Sequence, residues 1–347
     1  MKRKLILGLT LITASMITLS SCSIIKKTDT DDSKNKKITF GMYPQTKITN
    51  DSVIEELNSL AGNLPSSTDT YNWTAYNYYM DGAITNYMYY QDIDYDNDGD
   101  YDYRGVYFEK YRPSQFDLDY YIFYEYSSMY TNNSCQYMNG YSKETIYWFS
   151  FDPIEWDVLK EENGKSLILA NLIVDSQEYY PSNSEVEFIH NGGTGYANNY
   201  ELSAIRKFIN NDFYNNAFNN LEKEKIETTL VDNSLSSSEA GLNKYACDDT
   251  QDKVFLLSYK EFNDYNKFEF EGILLKNGTD YAKCQGLWVG NWGGSYWWLR
   301  SPYHYSDEDT SCYAYHVDII QVDGRHIDNS FGYRSGVGVC PACWVKL

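Results

Sequence analysis

The chain has 347 residues and a formal net charge of −20, from 49 Asp and Glu residues against 29 Lys and Arg residues. Its 36 tyrosines outnumber all of its basic residues, and aromatic residues make up 17% of the chain. The acidic charge argues against a nucleic-acid partner, because binding phosphates requires a basic surface. The aromatic content argues against disorder.

The first 22 residues predict an export signal that ends in a lipidation site. Residues 2–4 are basic, residues 5–19 are apolar, and residues 19–22 read LSSC, which resembles the lipobox of bacterial lipoproteins. A bilayer span needs about 20 apolar residues, so cleavage before Cys22 is favoured over an uncleaved membrane anchor. We therefore expect Cys22 to begin the mature chain and to carry the lipid that holds the protein at the extracytoplasmic face of the cell membrane.

The rest of the chain predicts a short tether followed by one domain. Residues 23–37 are polar apart from Ile24 and Ile25, which is typical of a solvated tether. Residues 38–347 contain no Pro/Gly-rich linker and no repeat, and no segment in them is apolar over the length of a bilayer span. We expect a single domain in which the Tyr-rich residues 63–145 are a candidate insertion.

The first half of this domain predicts a strand, a helix and a hairpin. Residues 39–44 indicate a strand and a turn. Asp51 or Ser52 is expected to cap a short helix that stops at Gly62. Asp98-Gly99, between alternating residues, is a hairpin signal.

The second half predicts further strands around a central helical region. Residues 154–159 and 167–174 have the apolar runs of buried strands, and residues 254–257 have a shorter one. Residues 200–228 show helical periodicity, and Asp323-Gly324 indicates a second hairpin. Strands on both sides of a helical segment predict the α+β class, mostly antiparallel and loop-rich with a few short helices.

An acidic segment resembles the first half of a calcium-binding loop. Five aspartates alternate along residues 94–102, and the turn glycine of such loops is present as Gly99. The loop position that should hold a bidentate acid is Gly105, and no helical pattern flanks the segment. The pattern is therefore consistent with a weak calcium site or with an acidic surface hairpin. The candidate ligands are Asp94, Asp96, Asp98 and Asp100.

Four tryptophans lie close together between residues 288 and 298, among several glycines. Exposed aromatic rings and a nearby arginine are features of sugar-binding sites, whereas buried indoles anchor irregular cores. Alternation along residues 296–302 predicts that one of Trp297 and Trp298 points inward and the other outward. The candidate ligand-binding residues are Trp288, Trp292, Trp298 and Arg300.

Six cysteines remain once Cys22 is assigned to lipid, and six allow 15 disulfide pairings. Cys247 and Cys284 flank a predicted strand and form one candidate pair. Cys340 and Cys343 form a C-x-x-C motif, which predicts a local disulfide, two packed thiols or part of a zinc site. Further zinc ligands would come from Cys312, His304, His316 and His326.

Several segments occur in an order that resembles a domain family of bacterial surface lipoproteins with no assigned activity. They include ITFGMYPQT (38–46), YWWLRSP (296–302) and GVCPACWVKL (338–347). The last two are also similar to the end of formylglycine-generating sulfatase-modifying enzymes. That similarity implies an irregular, C-type-lectin-like α+β domain. Those enzymes use a copper-binding cysteine pair, but the spacing of Cys340 and Cys343 differs from theirs, so the catalytic role is not transferred.

Common catalytic motifs are absent from the sequence, including G-x-S-x-G, H-E-x-x-H and the phosphate-binding glycine loops. We therefore expect a lipid-anchored surface protein whose domain binds a glycan or a protein. The alternatives are an exported enzyme related to the sulfatase-modifying group and a structural surface coat.

Overall fold

The computed structural model describes the chain from Lys36 to Lys346 with internal gaps. The described residues are 36–66, 68–76, 78–80, 83–85, 88–112, 134–180, 187–190, 193–238, 245, 247–266, 274–290, 293–303, 316–332 and 334–346. The predicted export signal with Cys22, and residues 23–35 of the predicted tether, lie outside the described residues. Trp292, His304 and Cys312 lie outside them as well.

Short strands dominate the described chain. They are β1 (Lys37–Lys47), β2 (Thr74–Ala75), β3 (Tyr78–Met80), β4 (Ala83–Thr85), β5 (Met88–Ile93), β6 (Tyr103–Phe108), β7 (Tyr147–Glu162), β8 (Lys165–Ala170), β9 (Asp175–Ser176), β10 (Glu187–His190), β11 (Gly193–Tyr196), β12 (Thr229–Val231), β13 (Thr250–Asp252), β14 (Trp297–Pro302), β15 (His316–Ile320), β16 (Ile327–Phe331), β17 (Gly338–Val339) and β18 (Ala342–Lys346).

The helices are short. They are α1 (Asp51–Ala61), α2 (Cys135–Met138), α3 (Ala204–Phe208), α4 (Tyr214–Ala217), α5 (Asn220–Lys225), α6 (Tyr259–Asn266) and α7 (Asp280–Cys284), with a π-helical turn at Ile209–Phe213 and a 3₁₀ turn at Leu235–Ser237. Within the described ranges, no helix is long and apolar enough to cross a membrane.

The larger sheet is antiparallel and is built around β7. Its order is β18-β8-β7-β6-β5-β2, and β1 also pairs with β7. The β1 ladder covers residues 149–157 of β7, the β6 ladder residues 147–150, and the β8 ladder residues 156–162. Because the β1 ladder overlaps both others, β1 lies along one edge of β7 while β6 and β8 follow each other along the second edge.

The second sheet has the order β16-β15-β14-β17-β9, and only the β14–β17 pair in it is parallel. β15 and β16 form the hairpin predicted at Asp323-Gly324. Small antiparallel pairs join β3 to β4, β10 to β11 and β12 to β13. The predicted α+β class, mostly antiparallel with a few short helices, is confirmed.

The central strands of the larger sheet are covered on both faces. Side chains alternate along β6 and β7, so Tyr107 and Trp148 pack with Leu57 of α1. Their neighbours Phe108 and Phe149 belong to the main core on the opposite face. The aromatic character of this region therefore reflects burial on both sides of one sheet. Residues 63–145, the candidate insertion, contribute β2, β5 and β6 to that same sheet.

The helical predictions are confirmed in part. α1 ends before Gly62 as expected, but its cap is Asn50, whose side chain accepts from the amides of Ser52 and Val53. The helical region predicted over residues 200–228 is confirmed and consists of α3, the π-helical turn, α4 and α5. The π-helical turn places both Ile209 and Phe213 in the core.

Residues 254–257 are all buried, but they form an isolated bridge at Phe255 and no continuous strand, so the strand prediction is wrong there. The side chain of Asn210 accepts hydrogen bonds from the amides of Lys253 and Val254. A side chain therefore replaces the neighbouring strand that these backbone donors would otherwise need.

A buried ion pair joins the larger sheet to the loop before α7. Lys276 Nζ lies 2.8 Å from Asp157 Oδ2, and the two side chains are 0% and 2% exposed. The second carboxylate oxygen, Oδ1 of Asp157, has no hydrogen-bond partner among the described residues. Taking one member of such a pair away leaves an uncompensated charge in the core, which is costly.

We expect Lys276→Met to lower the free energy of unfolding by about 3–5 kcal/mol, because it leaves Asp157 charged and unpaired in the core. The double variant K276M/D157L should recover most of this loss, since it removes both charges. Urea unfolding followed by tryptophan fluorescence measures the difference. Lys260→Met is the matched control, because Lys260 pairs with Asp264 at the surface. Equal stability of K276M and K260M would contradict the expectation.

Candidate functional site

The residues of the predicted calcium loop lie at the tip of the β5–β6 hairpin. β5 ends at Ile93 and β6 begins at Tyr103, and residues 95–101 between them are exposed. The hairpin predicted at Asp98-Gly99 is therefore confirmed, although its loop is longer than a two-residue turn. This loop carries five aspartates and no basic residue.

Three carboxylates converge in this loop. Asp94, Asp96 and Asp102 each offer an oxygen, and these oxygens lie within 4.8 Å of one another. Within the described ranges this is the one group of His, Cys, Asp or Glu residues arranged so closely. Asp98 and Asp100, which were predicted as ligands, are not members of the group. Asp102 belongs to the alternating motif but was not among the predicted ligands, although it stands at loop position nine counted from Asp94, a position that calcium loops use.

Backbone amides of the loop hold the converging carboxylates. The Gly99 amide donates to Asp94 Oδ2 at 3.0 Å, and the Tyr95 amide donates to Asp102 Oδ2 at 2.6 Å. Gly99 has a φ of +101°, a backbone conformation that favours glycine. The bond from the turn glycine to the first aspartate closes the loop, and the invariant glycine of calcium loops provides the same sharp turn.

The negative charges of the converging carboxylates repel one another. Desolvation in the loop, together with the charges of Asp98, Asp102 and Asp94, raises the pKa of Asp96, while a hydrogen bond from the Asp98 amide opposes the shift. A divalent cation between the carboxylates would replace this repulsion by attraction. The donor set consists of hard oxygens, which suits calcium.

The base of the hairpin is fixed by a buried ion pair. Arg104 stands opposite Asp92 in the ladder, and its Nε and Nη2 donate to the two carboxylate oxygens at 2.6 Å each. The guanidinium lies 4.4 Å from the centre of the Tyr90 ring and donates to the Tyr281 hydroxyl at 3.3 Å. A bidentate pair of this kind is rigid, so the loop extends from a fixed support.

A second acidic residue with a shifted pKa lies deep inside the protein. Burial raises the pKa of Asp175 to about 6, and the Tyr43 hydroxyl donates to its Oδ2 at 2.9 Å. Shifted acids often mark active sites. Asp175 is only 1% exposed, however, so no substrate reaches it in this structure. Its contacts join β1 to β9.

Trp298 and Arg300, two of the residues predicted to bind a ligand, belong to the core. Trp297 and Trp298 are both 0% exposed. The prediction that one of them faces outward is wrong, because both faces of β14 are covered: Trp297 packs against Phe262 and Trp298 against Tyr179. Arg300 is 2% exposed and donates to the Leu256 carbonyl and to Glu261. Trp298 and Arg300 are therefore not available to a ligand.

Trp288 differs from these residues because it is only partly buried. Its ring centre lies 5.1 Å from that of Tyr296. Trp292, another of the predicted ligand-binding residues, lies outside the described residues. The described tryptophans of the predicted cluster therefore do not form an exposed aromatic surface.

The cysteines that the structure describes are free thiols. They are Cys135, Cys247, Cys284, Cys340 and Cys343. Neither of the two predicted disulfides is formed. Cys343 lies in β18 opposite Ile168, while Cys340 precedes the strand and donates to the Ala170 carbonyl at 3.3 Å. Three positions apart on an extended chain, their side chains diverge.

Burial also makes these two thiols poor nucleophiles and poor metal ligands. It raises the pKa of the Cys340 thiol to about 12, and the pKa of Cys343 higher still. The thiolate is the reactive form. Of the predicted zinc partners, His316 packs in the core against Phe331, and His326 is exposed beside Asp323. These described residues therefore do not assemble the predicted zinc site.

The fold and the loop define an α+β domain with a candidate calcium site at a hairpin tip. Residues 163–347 match the model of a domain of unknown function, DUF6273. The match covers more than half of the chain, so the chain belongs to this family. No curated protein and no solved structure matches it. The matched segment begins in the turn after β7, and the acidic hairpin lies before it.

We expect Cys340 and Cys343 to resist alkylation in the folded protein, because buried thiols react only after the structure opens. Native alkylation followed by peptide mass spectrometry measures the rate at each site. Cys247 is the internal reference, since it is only partly buried. Unfolding in denaturant should make Cys340 and Cys343 reactive without a reductant. Rapid native labelling of either, or a disulfide between them, would contradict the structure.

Proposed function

We propose that the protein is a lipid-anchored, extracytoplasmic binding module whose β5–β6 loop binds calcium. The observation that carries the calcium assignment is the convergence of Asp94, Asp96 and Asp102 within 4.8 Å. The anchor is supported by the basic and apolar residues that lead to Cys22. The ligand that the module binds is a surface glycan or another surface protein.

Calcium binding at this loop would be weak. The loop lacks the bidentate acid that strong sites have at position 12, and Asp96 at its centre is exposed. Extracellular calcium modules have dissociation constants of about 10⁻⁴–10⁻³ M. A site of that strength suits a protein outside the cytoplasm, where it would order the hairpin tip.

The C-type-lectin-like architecture is proposed with it. Its support is the loop-rich α+β organisation and the order of the C-terminal elements: the WLRSP strand β14, the β15–β16 hairpin and the closing strand β18. Fold likeness alone is a weak argument for function. Glycan binding therefore needs its own site.

The alternative, an exported enzyme related to the sulfatase-modifying group, has less support. Its chemistry would need reactive cysteines, and burial keeps both Cys340 and Cys343 protonated at neutral pH. Native reactivity of this pair would favour the enzyme over the binding module.

The calcium assignment predicts unequal effects of two similar substitutions. Asp102→Asn should weaken binding at least tenfold, because it removes one of the three converging charges. Asp100→Asn should change binding less than threefold, because Asp100 is outside the group. Terbium luminescence sensitised by the loop tyrosines, with competition by calcium, measures both. Equal effects of the two substitutions, or no binding by the unsubstituted protein at millimolar calcium, would contradict the assignment.

The anchor assignment predicts that Cys22→Ala abolishes lipidation. The variant should keep the mass of the uncleaved precursor, whereas the unsubstituted protein should gain lipid and lose residues 1–21. Intact-mass spectrometry of the membrane fraction separates the two. Cys312→Ala is the control and should be processed normally. Identical processing of the C22A variant and the unsubstituted protein would refute the anchor.

A further inference from the structure

A polar groove of about 240 Å³ lies on the surface where the β7–β8 turn meets β18 and the segment before β12. It is remote in sequence from the predicted tryptophan cluster. Its lining includes Glu162, Asn163, Lys165, Glu227, Thr229 and Trp344. Asn163 and Gly164 both have positive φ, so they form the tight turn that places one wall.

Trp344 forms the aromatic part of the groove. It lies in β18 opposite Leu167, and its neighbours Cys343 and Val345 are 0% exposed. Alternation therefore sends Trp344 to the opposite face of the strand, where it is only partly buried. Its carbonyl accepts from the Glu227 amide at 2.8 Å, which fixes the neighbouring wall.

Glu227 is the central polar group of the groove. It accepts from Lys165 Nζ at 2.8 Å and from Lys346 Nζ at its other oxygen. These two lysines lower the pKa of Glu227 to about 2, so the carboxylate is always ionised at physiological pH. Its two oxygens are held in fixed positions between cationic donors.

This arrangement selects for a neutral, hydroxylated ligand. The carboxylates of Glu162 and Glu227 together balance the ammonium groups of Lys165 and Lys346, which leaves little net attraction for a charged group. Carboxylate oxygens accept hydrogen bonds and lysine ammonium groups donate them, while the indole offers an apolar face. A sugar ring combines an apolar face with hydroxyls that both donate and accept.

We propose that this groove binds a neutral pyranose, with the sugar ring stacked on Trp344 and its hydroxyls bound by Glu227 and Lys165. The inference rests on the proposed binding function and names its ligand class. The groove is smaller than the roughly 300–1,000 Å³ of sites for drug-sized ligands, and its single aromatic ring fits one sugar unit. Both features favour a sugar over a protein partner.

Saturation-transfer NMR with the methyl glycosides of glucose, galactose and N-acetylglucosamine tests this proposal. Ring protons of at least one glycoside should receive saturation from the unsubstituted protein. Trp344→Ala should reduce the signal at least tenfold, and Glu227→Gln should reduce it as well. Trp344→Phe should keep part of it, because the aromatic face remains. Trp288→Ala, at the partly buried tryptophan elsewhere, should leave the signal unchanged.

The outcomes distinguish the groove proposal from the proposed function. Loss of signal in W344A with a native circular dichroism spectrum and with binding partly kept in W344F supports the groove. Equal loss in W344A and W288A, or no transfer to any of the three glycosides, overturns it. Capture of a protein partner through Trp344 without sugar binding overturns the ligand class. If none of the three glycosides binds but calcium binding and lipidation persist, the groove proposal is wrong and the proposed function is still supported.

Discussion

The 16 residues of β7 hold three hydrogen-bonded ladders at once, to β1 on one edge and to β6 and β8 on the other. The buried Asp157 in the same strand joins this sheet to the loop before α7 through Lys276. β7 also ends where the family-matched segment begins. The chain before residue 163 and the chain after it therefore share one sheet, and the acidic hairpin is supported by the strand that supports the family domain.

The sequence predicts best what is local. The end of α1 follows from the stop at Gly62, and the β15–β16 hairpin follows from Asp323-Gly324. Local patterns do not predict contacts between residues that are far apart in the chain. Trp297 and Trp298 are both buried because neighbours far away in the chain cover both faces of β14, whereas alternation assumes one solvent face. Asn210 similarly satisfies the amides near Val254, which no local pattern reveals.

The candidate sites show the same division between local and long-range information. The alternating aspartates identify the calcium loop, but only the folded turn shows that Asp102, and not Asp98 or Asp100, joins Asp94 and Asp96. The groove at Trp344 has no sequence signature, because its walls come from residues 162–165, 227–229 and 344. Nearly all of that groove lies within the family-matched segment, whereas the acidic loop lies outside it. The two sites therefore differ in how widely they are expected among family members.

The position of β1 has a mechanical consequence. β1 begins at Lys37, the last residue of the predicted tether, and its ladder with β7 runs from Lys37 opposite Asp157 to Lys47 opposite Phe149. A pull on the N-terminal end of β1 that is directed along the strand acts at right angles to its hydrogen bonds. The hydrogen bonds of the ladder then bear the load together, in shear, and do not break one after another. In a protein held by the proposed lipid anchor, this geometry would resist drag on the domain.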